Sequence, residues 1–222
     1  MASVVTYKYI RQNPDIMTYI KRADKALEAI GYTEHSFAHV ERVAQTASMI
    51  LTELGYPERQ IELVKIAGIM HDIGNVINRV DHAQSGAVMA FRLLDNLSMP
   101  AEEICTIVSA IGNHDESTAF PVDPVSAALI IADKTDVRRT RVRNSDIFTF
   151  DIHDRVNYAV ESSNVRFNDN KTSIILELTI NTTISSVMEY FEIFLQRMIL
   201  CKKASQYLGL KFEMVINGTE VL

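Results

Sequence analysis

Cysteine is scarce in this chain: only Cys105 and Cys201 occur, each inside a stretch of helical periodicity. Two such thiols do not make a disulfide framework, and they point to a reducing compartment. Long hydrophobic runs are missing too, since none approaches the roughly 18 residues expected of a membrane span. The stretch containing Lys8, Arg11 and Asp15 lacks the basic-then-apolar order of a signal peptide. A cytoplasmic protein is the resulting expectation. Positive charge is not in excess either, and the formal net charge of −6 argues against nucleic acid or an anionic membrane as partner. A small phosphorylated ligand stays compatible with that charge, because a local cationic site can sit in an acidic protein. Neither internal repeats nor a low-complexity linker interrupt the sequence.

What remains is ordinary globular material, 222 residues with 47% hydrophobic and 23% charged, enough for one substantial core. From about Asn13 to Lys134 apolar residues recur at helical spacing between short turn signals. Asn13-Pro14 predicts a cap and first turn for a helix ending near Gly31. A second helix carries Val40, Val43, Ala47, Ile50 and Leu54, and Pro57 opens a third. Asp81 is placed to cap a fourth, the Pro100 region a fifth, and Asp123-Pro124 a sixth. Beyond about Asp146 the pattern changes to a short helix around Ile152–Ser162 and a strand from Ser173 to Ile180. Asn168-Asp169-Asn170 marks a turn, which makes Asn164–Phe167 the other arm of a hairpin. A long helix from about Ser185 to Leu208 and a last strand through Phe212, Met214 and Ile216 complete the chain. The expected fold is mainly α, a helical bundle over 1–145 with a small α+β subdomain over 146–222.

Six polar residues fall on the apolar sides of these helices. His39 precedes Val43 by four, His71 follows Ala67 by four, and Gly68 beside it permits close approach of another helix. His82 leads Gly86 and Ala90, His114 follows Ile107 and Ile111, and Asp133 follows Val125 and Leu129. Asp72 accompanies His71. A single inward histidine is more often a satisfied core residue than a ligand. An inward carboxylate is different, because it costs several kcal/mol unless a cation or full hydrogen bonding meets it. Lys134 and Arg138 follow Asp133 in sequence and need not point inward with it. As a set, the residues fit one or two transition-metal ions, for which imidazole and carboxylate suit iron, manganese, cobalt, nickel or zinc.

His39-Val40-Glu41-Arg42-Val43, then His71-Asp72-Ile73-Gly74, then Ala132-Asp133-Lys134 resemble the H…HD…D signature of the HD-domain metal-dependent phosphohydrolases. The resemblance spans about Glu34 to Asp136. The additional His82 and His114 resemble subgroups that hold two metals, among them the HD-GYP phosphodiesterases and HD-type hydrolases that split diadenosine tetraphosphate symmetrically. It implies a first metal on His39, His71, Asp72 and Asp133, and a second on His82 and His114 with Asp72 bridging. It also implies hydrolysis of a phosphoester or phosphoanhydride in a nucleotide or other small phosphorylated compound by a metal-activated water, with His71 and Asp72 central to catalysis. Two departures are visible. Asn75 stands where the family often has lysine, so that role is lost or moved. The Gly-Tyr-Pro of this chain, Gly55-Tyr56-Pro57, lies ahead of the His71-Asp72 pair and not downstream of it, which lowers cyclic-di-GMP hydrolysis as a candidate.

Arg42, one turn after His39, is a candidate to touch substrate, as are Lys134 and Arg138 in the basic cluster that runs to Arg143. His35 is a substrate-facing or supporting candidate, Asp115 and Glu116 are candidate partners of His114, and His153 lies outside the matched region. The competing reading is a catalytically reduced HD-fold nucleotide-binding or regulatory module. In it the α+β tail pairs its strands across a homodimer.

Overall fold

Residues 4–222 are described by the computed structural model; the first three residues of the expected 1–145 bundle lie outside the described residues. The elements are α1 (Tyr7–Gln12), α2 (Pro14–Ala29), α3 (Phe37–Glu53), α4 (Glu58–Met70), α5 (His82–Asn96), α6 (Ala101–Gly112), α7 (Pro124–Lys134) and α8 (Ile152–Ala159). They continue with β1 (Val160–Phe167), β2 (Ser173–Ile180), α9 (Val187–Tyr207), β3 (Lys211–Ile216) and β4 (Thr219–Glu220). The chain is mainly helical with a small sheet at the C-terminal end, as the sequence pattern predicts.

Local chemistry sets most boundaries. The Asn13 side chain accepts from the backbone N–H groups of Asp15 and Ile16, and Pro14 occupies the first turn of α2. Asp123 and Ser126 form a reciprocal capping box at the start of α7, and Ser186 with Glu189 does the same for α9. Asp81 behaves differently from expectation. It occupies the position before α5 in a left-handed conformation, φ 56°, with no capping bond from its side chain. Its carbonyl accepts from Ser85 instead. Aspartate tolerates that backbone better than most residues. The expected Ile152–Ser162 helix also stops early: Val160 and the residues after it pair with β2, so the chain passes from helix directly into strand. Short α1, capped by Thr6, is too brief to show a helical period and was not anticipated.

Helix α3 packs against both α4 and α7, and these three present the buried center of the bundle. Gly68 lets α4 cross α3 at Ala44, where an added Cβ would lie 2.7 Å from backbone. In the sheet, β1 and β2 form the predicted antiparallel hairpin, with Val165 opposite Leu176. Strand β3 then pairs parallel to β2, Met214 opposite Leu176, and α9 is the crossover that parallel pairing demands. Buried Tyr190, Phe194, Met198 and Cys201 of α9 join the same apolar core as the bundle, because α9 packs on α7 as well as on the sheet. No helix of the described residues is long and apolar enough to cross a membrane.

Candidate metal centre

Each of the six expected donors sits at or near a helix end. His39 is in the first turn of α3, His71 caps the end of α4, and Asp72 follows in the turn. His82 begins α5, His114 follows the end of α6, and Asp133 is in the last turn of α7. Gly74 makes this convergence possible. A Cβ there would collide with the carbonyl of His82 and come within 2.5 Å of the Gly86 nitrogen. The turn after Asp72 can therefore lie flat against the start of α5.

Every one of the four imidazoles is anchored through Nδ1. His39 Nδ1 is 2.7 Å from Asp136 Oδ2, His71 Nδ1 is 2.7 Å from the Gly68 carbonyl, and His114 Nδ1 is 2.6 Å from the Ile111 carbonyl. His82 Nδ1 is 3.1 Å from the Arg79 carbonyl. An acceptor at Nδ1 puts the proton there and leaves Nε2 with a free lone pair, the arrangement by which second partners prepare a ligating imidazole.

The Nε2 atoms converge on the two oxygens of Asp72. Oδ2 lies 3.6 Å from His39 Nε2 and 3.3 Å from His71 Nε2, and Asp133 Oδ1 is 3.3 and 3.6 Å from the same two nitrogens. Oδ1 of Asp72 lies 3.5 Å from His82 Nε2 and 3.9 Å from His114 Nε2, which are 3.2 Å apart. Three overlapping donor groups result, His39–His71–Asp72, His71–His114–Asp133 and Asp72–His82–His114. Nε2 of His39, Nε2 of His71 and Oδ2 of Asp72 are buried with no hydrogen-bond partner. Buried polar atoms seldom stay unsatisfied, so the orphaned lone pairs fit a cation at their center. The residues present therefore suit a metal ion.

Electrostatics agree with that chemistry. Burial opposes charge on Asp72, but the His71 imidazole outweighs it and holds the carboxyl well below its usual range. Asp133 is likewise depressed against its burial, first by Lys134 and then by His39 and His71. Burial disfavours a charged His71, yet Asp72 and Asp133 raise its pKa to about 10. A proton on His71 Nε2 and a cation at the same place answer the same two carboxylates. Burial, and then the charge of His71, push His114 down to about 3, the neutral state a ligand needs.

Around the donors, the side chains expected to meet substrate divide. Arg42 Nε is 3.1 Å and Arg138 Nε 2.9 Å from Asp136 Oδ1, so both brace the carboxylate that orients His39. Neither is among the side chains that line the cavity beside the donors. Lys134 does line it, but it points inward, 2.8 Å from Asp133 Oδ2 and 2.6 Å from Glu116. Lys134, which the sequence left free to point away, thus turns inward with Asp133. At the end of α7 the lysine reaches Oδ2, while Oδ1 still faces the histidines. His35 lies just ahead of α3, its ring edge-on to His39 at 5.4 Å, and it too lines the cavity.

Several participants were not found in the sequence. Asp136 is one, although an aspartate one turn past Asp133 was a usable signal. Buried Asn75 donates to both the carbonyl (3.0 Å) and Oδ1 (2.9 Å) of Asp72, so the residue replacing lysine positions the central carboxylate. Arg79 and Arg197 line a cavity of about 490 Å³, together with His153 of α8, Phe194 of α9 and Arg141 of the basic cluster already singled out in the sequence. They come from segments far apart in sequence, and no local period marks them.

The family model described as HD domain matches residues 36–140. An uncharacterized protein of Methanocaldococcus jannaschii is 23% identical over 188 residues, covering 74% of this chain and 72% of its own. Among solved structures, a predicted HD superfamily hydrolase from an uncultured Thermotogales bacterium aligns at 24% identity with a TM-score of 0.45. It covers 56% of this chain and 67% of its own.

Proposed function

Starting from a chain that belongs to the HD-domain superfamily through residues 36–140, we propose that it hydrolyses a phosphoester or phosphoanhydride bond in a small phosphorylated compound, a nucleotide among them. The general class, an HD-type metal-dependent hydrolase, rests on the domain match and the donor groups. One observation carries the reading further: unpartnered Nε2 atoms of His39 and His71 converge with the equally unpartnered Oδ2 of Asp72, beside an open cavity.

A divalent ion bound there supplies a lowered pKa for water and positive charge for the phosphoryl oxygens. The protein's own residues supply the rest. His39, His71, Asp72 and Asp133 would hold one ion, and His82 and His114, with Asp72, would serve a second. Asp136 keeps His39 in the tautomer that presents Nε2, and Asn75 fixes the plane of the Asp72 carboxylate. Five carboxylates and four cations line the cavity, so bound divalent ions turn its balance positive and complementary to phosphate. Arg141 spends Nε and Nη1 on the carbonyls of Glu34 and Asp136, which leaves Nη2 for a phosphate oxygen.

The test is elemental analysis of protein purified without chelator, combined with turnover of phosphomonoesters, nucleotides and dinucleoside polyphosphates. Bound transition metal with turnover is expected, both lost in folded Asp72→Ala. A folded protein that takes up no metal on reconstitution would overturn the reading.

A further inference from the structure

The cavity is lined by two chemically different sets of side chains. One comprises the donors Asp72, His82, His114 and Asp133 with the basic groups Lys134, Arg79, Arg141 and Arg197. The other comes from α8 and its cap, outside the matched domain: Asp151, Asp154 and Asn157, at three-residue intervals along one side. These three differ in depth: Asp151 is exposed, Asp154 half-buried, and Asn157 only 7% exposed. Asn157 donates Nδ2 to the His153 carbonyl at 2.9 Å, while no protein donor reaches its Oδ1, an acceptor that stays accessible on the cavity wall. Asp151 uses one carboxylate oxygen to cap α8 at Asp154, and Asp154 has a single contact, 3.4 Å from Asn144.

A wall that offers carbonyl and carboxylate oxygens cannot bind the phosphate end of a ligand. It suits a group rich in donors, and Tyr32 and Phe194, each beneath a guanidinium (Arg79 at 5.6 Å, Arg197 at 4.8 Å), give the same cavity flat apolar surface. We infer that Asp154 and Asn157, with Asp151 at the rim, bind the hydroxyl groups of a phosphorylated sugar, free or as the ribose of a nucleotide. They thereby select polyhydroxylated phosphoesters over esters without hydroxyls. A carboxylate accepting from adjacent hydroxyls makes charge-assisted bonds, and an acceptor left unpaired penalises the analogue that lacks the hydroxyl. The inference rests on the proposed phosphohydrolase reading for the phosphate end of the ligand, and α8 is its own contribution.

Two measurements separate the two. Calorimetric binding to chelator-treated protein compares ribose 5-phosphate, adenosine 5′-monophosphate, its 2′-deoxy analogue and inorganic phosphate. Turnover by the metal-loaded protein compares the same esters with p-nitrophenyl phosphate. Hydroxyl-bearing ligands are expected to bind about 10-fold tighter than inorganic phosphate, and Asp154→Asn and Asn157→Leu, checked for folding by thermal melting, to collapse that ratio toward one. Ribose 5-phosphate matching the nucleotide assigns a sugar phosphate, and a clear preference for the nucleotide assigns the ribose of a nucleotide. Equal binding of all four ligands, or a ratio unchanged in both folded variants, overturns the inference whether or not turnover is seen. Absence of turnover on every ester, with the binding preference intact, overturns the hydrolase reading and leaves the sugar site standing.

Discussion

The two flanks of Asp72 are built from the same residue types but set in different surroundings. On one side His39 and His71 are fully buried and absent from the cavity wall, and His39 is held by a carboxylate that three arginines surround. On the other, His82 and His114 line the cavity, anchored through backbone carbonyls, with Arg79 Nη1 3.2 Å from His82 Nε2. A carboxylate behind an imidazole raises its basicity more than a carbonyl does, and burial keeps competing water away. The difference is one of access: the first flank is sealed away from the cavity and the second faces it.

The strongest challenge to this asymmetry is to remove what the flanks share. Asp72→Asn keeps the shape and deletes the charge, and is expected to lose metal from both sides and turnover to background, as read by elemental analysis and a phosphoesterase assay. Next, His114→Ala should lower the metal stoichiometry by about one ion while the His39 flank stays loaded; loss of all metal would mean the two flanks bind as one unit. Asp136→Asn should weaken the buried flank alone, by about 10–100-fold in metal affinity. Competition with a chelator measures that change, and equal weakening at both flanks would erase the distinction.

The smallest effect concerns α9, which walls the open flank. Ser186→Ala removes the cap and should cost about 1 kcal/mol, a fall in Tm of roughly 2–4 °C by calorimetry. Its partner Glu189, held by the Ser186 backbone N–H and then by Arg155, has its pKa lowered to about 2. A carboxyl depressed in the folded state stabilises fully above its ordinary pKa, and the contribution fades as pH falls from about 4.5 toward about 2. Glu189→Gln should flatten that part of the acid-stability curve.

Much of this was legible because the signals are local. Asn13-Pro14 and Asp123-Pro124 announce helix starts through capping chemistry, and the apolar periods put His39, His82, His114 and Asp133 on the sides that proved buried or cavity-facing. The hairpin around Asn168 followed from alternation and a turn. Arg42 and Arg138 both reach the buried Asp136 carboxylate, Arg138 from two residues away and Arg42 only through the packing of α3 against α7. Arg79, Asn157 and Arg197 escaped notice for a related reason: a cavity wall gathered from distant turns leaves no period in any one of them. Lys134 shows the limit of sequence neighbourhood, since a residue adjacent to a ligand turned inward to neutralise the ligand's outer oxygen.

The parallel pairing of β2 with β3 also sets an order of events. That ladder cannot form until all of α9 has been made, so the pairing is long-range and comes late in assembly. The donor-bearing helices precede it along the chain and meet through earlier contacts. During synthesis all six candidate donors therefore emerge before Phe194 and Arg197, so the wall that closes this side of the cavity is the last part of it to be made.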